Sequence, residues 1–276
     1  MLWNANVSYP EVLMPMLFDR LLDLPAVDYL NGGADSNDFY ARQGREGVTR
    51  VAASLLTPFF ALLSDNAPVY QASRNSSYCI RTRLWQDVDR DRCGVTPHLM
   101  DADFGYARYA ENVLTKPQIT ALRLGRVRAA GGKIAPELYA GHVSRQETAQ
   151  ILSNFFYDVR LKSRIELRAA DSMPPRYIAA YVQLVKSVFG SPAALQNVLR
   201  HYAGATTLDI TSAKLAVCKD GYNALVYGRP VSGELAWLLM QARSRTPSQE
   251  ERALLDPFMQ LLTTRKTIRE TENYNE

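Results

Sequence analysis

At 276 residues the chain can form one large domain or two small ones, and 47% hydrophobic with 22% charged residues is the balance of an ordinary soluble globular protein. The net charge of +4 suits anionic substrates but falls short of the concentrated basic footprint of a dedicated nucleic-acid binder. Three widely spaced cysteines, Cys79, Cys93 and Cys218, with no CxxC pair, argue against a disulfide framework or zinc site and fit a reducing cytoplasm. The start, "MLWNANVSYPEV", lacks a cationic segment followed by an apolar run, and no apolar stretch is long enough to span a bilayer, so a cytoplasmic protein without a membrane partner is expected.

In chain order, residues 10–24 read as an amphipathic helix interrupted at Pro15, and "NGGADSND" as a loop. "GVTRVAASLLTPFFALLSDN" is apolar and helical, with a kink expected at Pro58. "YCIRTRLW" alternates, placing Cys79, Arg81, Arg83 and Trp85 on one face of a predicted strand. "DADFGYARYAENVL" reads as a helix with Asp101 or Asp103 near its start, and residues 118–134 as a basic hairpin or loop around Gly131 and Gly132. Ser144 with Glu147 is a capping box opening a helix.

The segment that follows, "FFYDVRLKSRIELRAAD", also alternates: Arg160, Lys162, Arg164, Glu166 and Arg168 fall on one side of a predicted strand, with Leu161, Ser163, Ile165 and Leu167 on the other. A solvated outer face would ordinarily mix its signs. The row therefore carries two readings: a solvated outer face or charge-guarded edge of an antiparallel sheet, or, with four cations around one carboxylate, a face toward an anionic ligand, since arginine offers a rigid fork for phosphate or carboxylate. From Asp171 onward the chain is helical, with starts at Asp171 or Ser172 before Pro174, at Ser191, at Ser232 and at Ser248 with Glu251. Ile178, Val182, Val185 and Phe189 form an apolar stripe. The predicted class is α+β, a few antiparallel strands in the middle with helices before and after them.

Three other features carry less chemistry. Asp87, Asp89 and Asp91 alternate like the start of a calcium loop, but Arg92 and His98 occupy the places that need Gly and Glu. "GRVRAAGGK" misses the spacing and the Ser/Thr of a phosphate loop. His98, His142 and His201 share no ligand spacing and read as surface or packing residues.

Taken together, "DVRLKSRIELRAADSMPPRYIAAYVQLVKSVF", the earlier succession "DNAPVY", "IRTRLW", "DVDRDRCG", "DFGYARYAENVL", and the ending "KDGYNALVYGRPVSGEL" before "LDPF" and "TRKT" resemble, in that order, the glutamate–cysteine ligases of plant and bacterial type. The resemblance implies an incomplete glutamine-synthetase-like antiparallel sheet curved as a funnel, with flanking helices and a helical C-terminal third. It implies a single domain over residues 1–276: a divergent stretch 1–47, a sheet-containing core 48–171, a helical part 172–270 and a frayed tail 271–276. It implies an ATP- and Mg²⁺-dependent enzyme that joins the γ-carboxylate of glutamate to cysteine through an acyl phosphate, the first step of glutathione synthesis.

By the family's pattern Glu166 is a Mg²⁺ ligand, Arg168 contacts the transferred phosphoryl group, Arg160 and Lys162 lie near the nucleotide, and Arg81 and Trp85 shape the glutamate side. The substrates are small molecules, and nucleic acid is not expected. The chain departs from the pattern in having no Glu-x-Glu before residue 70, Tyr157 in place of Pro, and Gln150 where bacterial members tend to have His. It is therefore expected to lack the N-terminal part of the fold. The alternative reading is a catalytically inactive fragment or partner subunit that keeps the late half, self-associating or covered by another chain along its open sheet edge. Substitution of Glu166 is expected to abolish metal-dependent ATP binding with little loss of folding.

Overall fold

The computed structural model describes residues 38–272 except 72, 75, 102–103, 140, 142 and 162–164. The helix expected over residues 10–24 lies outside the described residues. Helix α1 (Asp38–Leu63) is the spine of the molecule. From Val51 to Leu63 its apolar residues are buried on every side, as in a helix surrounded by protein. Pro58 sits inside it without ending it. Proline cannot donate to the carbonyl of Ser54 one turn back; the Thr57 hydroxyl donates to that carbonyl instead, at 2.7 Å.

Next come β1 (Val69–Tyr70) and β2 (Ser73–Arg74), then α2 (Ile80–Val88), β3 (Cys93–Gly94), α3 (Tyr106–Leu114), β4 (Thr120–Arg123) and β5 (Arg126–Ala129). Helices α4 (Ala135–Leu138) and α5 (Arg145–Ser153) lead into β6 (Phe156–Tyr157), β7 (Val159–Leu161) and β8 (Ile165–Leu167). The rest is mainly helical: α6 (Pro175–Phe189), α7 (Pro192–His201), α8 (Thr207–Asp220), the short pair β9 (Leu225–Val226) and β10 (Arg229–Pro230), then α9 (Val231–Ser244), α10 (Gln249–Ala253), α11 (Asp256–Thr264) and α12 (Ile268–Thr271). Helix α1 lies against α7, α8 and the β7–β8 hairpin, while α6, α9 and α11 pack on one another. Among the described residues no single helix is long and apolar enough to cross a membrane.

The mixed α and β class agrees with the sequence reading, and several elements do not. "IRTRLW" is helix α2, not a strand. Alternation over so few residues does not separate the two periods, and Arg, Leu and Gln are good helix formers. The basic hairpin reverses at Leu124–Gly125, where φ is +49° and +71°, the geometry of a tight two-residue turn, rather than at Gly131–Gly132. Helix α3 starts after Gly105, not at Asp101. The buried face of α6 runs through Tyr177, Tyr181, Leu184 and Val188 together with Val185 and Phe189. Among the described residues the strands form five separate pairs, one of them the parallel pair β3–β6, and no continuous curved sheet. The capping box holds as expected: the Glu147 amide donates to Ser144 Oγ at 3.2 Å and the Ser144 amide to Glu147 Oε2 at 2.8 Å.

Two positions tie later parts of the chain to the segment between α1 and α2. Asp65, just beyond α1, accepts the Cys79 amide at 2.9 Å on Oδ1, and its Oδ2 lies 3.0 Å from Arg269 Nε. Gly221, at φ +53°, faces Tyr78 so closely that a Cβ there would stand 2.7 Å from the ring. Replacement Gly221→Ala therefore combines a strained backbone with a clash, and urea unfolding is expected to show a loss of about 2 kcal/mol. Burial raises the Asp65 carboxyl to about 6, outweighing Arg269 and the Cys79 amide. A carboxyl raised on folding stabilises fully below its unfolded value and loses that contribution as pH rises through the folded one. Wild-type protein should thus lose on the order of 3 kcal/mol from this group between pH 4 and pH 7. Asp65→Asn should lack that loss; parallel stability curves for the two proteins over this interval would contradict it.

Candidate active site

The segment predicted as one strand is a hairpin. Strands β7 and β8 pair antiparallel with Val159 opposite Leu167, Arg160 opposite Glu166 and Leu161 opposite Ile165. Directly opposed residues share a face, so even numbers stay with even numbers, and Arg160, Glu166 and Arg168 share one face as the alternation requires. Val159, Ile165 and Leu167 fill the other face and are buried in the core beside α1. Lys162 and Arg164 lie outside the described residues.

The charged face is not solvated: Arg160, Glu166 and Arg168 are 6%, 5% and 7% exposed. Arg160 grips Glu166 with a fork, Nε to Oε2 at 3.0 Å and Nη2 to both oxygens at 2.7 Å, while its Nη1 donates to the Phe155 carbonyl at 3.0 Å. Arg168 Nη1 donates to Glu166 Oε1 from the other side at 3.0 Å. Burial alone pushes the Glu166 carboxyl up; Arg160 and Arg168 outweigh it and hold the group below the usual carboxylate range.

Helix α2 supplies the cover. Arg81 and Trp85 are one helical turn apart, so they share a face of α2 just as they would on a strand, whereas Arg83 points to solvent. Arg81 Nε donates to the Arg168 carbonyl at 3.3 Å. Trp85 stacks on Phe156 with centroids 5.5 Å apart, and the Arg168 guanidinium lies 4.9 Å from the Trp85 ring and 5.5 Å from that of Phe156. Arg160 also lies over Phe156, at 5.6 Å. The result is three guanidiniums beneath two half-buried aromatic plates, with the Glu166 carboxylate between two of them and the Asp171 carboxyl near Arg81, an arrangement of fixed geometry with more guanidinium than carboxyl groups.

Sequence reasoning missed Phe156, Asp158 and Lys214. Phe156 and Asp158 have the same parity as the charged row, so carrying the alternation back by four residues would have found them. Asp158 joins the short strands: its amide donates to the Gly94 carbonyl and its carbonyl accepts the Arg168 amide, both at 2.8 Å. Its carboxylate forms a buried ion pair with Lys214 of α8, for which no local signal exists.

The other sequence features fall elsewhere. Asp89 accepts the amides of Asp91 and Arg92 and pairs with the Arg92 side chain, while Asp91 pairs with Lys116, a turn with compensating charges. His98 pairs with Asp101 near the surface, His201 lies among α7 and α9 residues, and His142 is outside the described residues.

The Mg²⁺ role expected of Glu166 does not fit this arrangement. Both of its oxygens are occupied by guanidiniums, and among the described residues no group of three or more His, Cys, Asp or Glu side chains could hold a metal ion. Mg²⁺ requires a near-octahedral set of oxygens. The clamp also reverses the expectation of little loss of folding on substitution. Glu166→Gln leaves two buried cations without their counter-charge, and a loss of about 3–5 kcal/mol is expected in urea unfolding at neutral pH. Because Glu166 is lowered on folding, its contribution is present above its unfolded value and vanishes as the solution becomes more acidic. The gap between the two proteins should therefore narrow below pH 4.5; a gap that stays constant would contradict the clamp.

Comparison with known proteins agrees with the order of these blocks. The stretch is similar to the chloroplastic glutamate–cysteine ligase of Brassica juncea, 28% identical over 156 residues, which is 54% of this chain and 30% of that protein. The chloroplastic glutamate–cysteine ligase of Arabidopsis thaliana is also 28% identical over 156 residues, with the same coverage, and that of Medicago truncatula 27% identical, covering 54% of this chain and 31% of that protein. The matched stretch thus spans about a third of the length of these relatives. A family model, glutamate–cysteine ligase family 2, matches residues 42–270 and so takes in the whole hairpin, its aromatic cover and the helices behind it. With its ordered blocks and most of its length inside that match, the chain belongs to glutamate–cysteine ligase family 2.

Proposed function

We propose that the chain serves the ATP-dependent ligation of glutamate to cysteine, in which ATP phosphorylates the γ-carboxylate and the cysteine amine displaces phosphate to give γ-glutamylcysteine, the first step of glutathione synthesis. One observation carries this reading: the buried Arg160–Glu166–Arg168 row, joined by Arg81, has more guanidinium than carboxylate charge beneath Trp85 and Phe156. Such a wall attracts carboxylate and phosphate groups and stabilises charge that develops on them. Arg168 acts on the transferred phosphoryl group, Arg160 and Lys162 on the nucleotide side, and Arg81 with Trp85 on glutamate. Glu166 orients the two arginines. A Mg²⁺ ion would neutralise phosphate charge in this reaction, and Glu166, both of whose oxygens are taken up by guanidiniums, would not hold it. The partners in this reading are glutamate, cysteine and ATP rather than nucleic acid or membrane, in a reducing cytoplasm where the free thiols of Cys79, Cys93 and Cys218 persist.

A second reading is a catalytically inactive fragment or partner subunit retaining the late half of the ligase fold. It is favoured by the matched span of about a third of the relatives and by the lack of a metal-holding cluster among the described residues. The two readings separate in one assay. Folded protein is mixed with Mg-ATP, glutamate and cysteine, and γ-glutamylcysteine and ADP are measured. The first reading expects both products in equal amounts, each dependent on both amino acids. A folded but inert chain rejects catalysis by this chain alone, and size-exclusion chromatography then asks whether it assembles with itself or another chain.

A further inference from the structure

An open concavity lies on the helical part. It offers about 510 Å³ between the end of α7, one face of α8 and the β9–β10 turn, a volume within the roughly 300–1,000 Å³ of small-molecule pockets. None of its lining residues belongs to the charged hairpin: Asp209 and Ser212 come from α8, whose Lys214 lies on another face, His201 and Tyr202 from α7 and its end, and Tyr227 and Arg229 from the turn.

The cation of this pocket is held in place. Arg229 Nη1 lies 3.0 Å from His201 Nε2 and 3.5 Å from Glu234 Oε1. Glu234 is buried in the first turn of α9, and its Oε2 lies 2.7 Å from His201 Nε2. The imidazole is stacked on Trp237 at 3.8 Å, nearly parallel, with Tyr202 edge-on at 4.7 Å. The buried Glu234 carboxylate thus anchors Arg229 on one side, while among the described residues its Nε and Nη2 have no protein partner. The pocket is also lined by Asp209, whose Oδ2 accepts the Thr206 amide at 2.8 Å and hydroxyl at 2.7 Å, which hold its carboxyl below the usual range, so it is anionic at neutral pH. Its Oδ1 has no protein partner among the described residues. Tyr227 spends its hydroxyl on the Leu55 carbonyl at 2.7 Å and offers the pocket its ring.

A simple anion drawn to Arg229 would meet the Asp209 carboxylate, and a simple cation drawn to Asp209 would meet the guanidinium. A ligand bearing both charges satisfies both groups. We propose that this pocket binds a small zwitterion of amino-acid or short-peptide size, its carboxylate on Arg229 and its ammonium at Asp209. The proposal stands on this pocket alone and does not depend on the ligase reading.

The test is a titration of the isotope-labelled full chain with glycine, 4-aminobutyrate, 6-aminohexanoate and glycylglycine, followed by amide chemical shifts, with hexanoate and hexylamine as single-charge controls. At least one zwitterion should saturate, with shifts at residues 201–229 and not at Arg160, Glu166 or Arg168. Arg229→Gln and Asp209→Asn should each weaken it tenfold or more at unchanged melting behaviour, and Asn at 209 keeps an oxygen for the Thr206 cap. Both single-charge controls should bind at least tenfold more weakly than the zwitterion. The assignment is overturned if no zwitterion saturates, if both folded variants bind like wild type, if hexanoate or hexylamine binds as tightly, or if the shifts map to the hairpin.

Discussion

A carboxylate buried between two guanidiniums governs this half of the molecule. Glu166 is out of water, so its charge must be met where it lies; Arg160 across the hairpin and Arg168 two residues along meet it at 2.7–3.0 Å. That demand specifies the register of β7 on β8. A slip of one residue would carry Val159, Ile165 and Leu167 out of the core and drive the charged row toward α1. The ladders are too short to enforce this alone. The ionic clamp and the aliphatic face act together, one rewarding the correct register and the other penalising its neighbours.

The clamp in turn depends on distant supports. Trp85 and Phe156 close it from above, and α2, which carries Trp85, follows directly on Cys79, whose amide is held by Asp65 at the end of the apolar spine. Asp158 joins β3, β8 and α8 through two backbone hydrogen bonds and the Lys214 ion pair. The helical part is therefore a buttress for the charged wall as well as a separate packing unit, and it carries a pocket of its own. The two sites differ in character. The hairpin site holds more guanidinium than carboxylate groups, suited to phosphates and carboxylates, while the pocket is lined by one cation, Arg229, and one anion, Asp209.

Membership of the ligase family and the occupied state of Glu166 bear on each other. The one acidic residue of the row orients arginines, and among the described residues no cluster of acidic side chains could hold a metal ion. The described residues of the row thus form a basic wall of the kind that attracts and polarises anions.

Much of this was legible in the residues. Alternation placed Arg160, Glu166 and Arg168 on one face, as the structure has them, because side-chain parity belongs to the pleat and survives when a strand folds back on itself with an even sum of paired numbers. Ser144 with Glu147 and Ser248 with Glu251 marked true helix starts, since a cap is satisfied within four residues. Arg81 and Trp85 were placed together for the wrong reason: a spacing of four residues is shared by strand and helix faces alike, and packing against β3 and α8 chose the helix. Chain-local chemistry, then, determined the caps, the two-faced charged segment and the apolar spine. Tertiary structure alone decided that the segment reverses, that its charges are buried, and that Lys214 answers Asp158 across 56 residues. Burial and counter-charge are properties of what packs against a residue, and no local period records them.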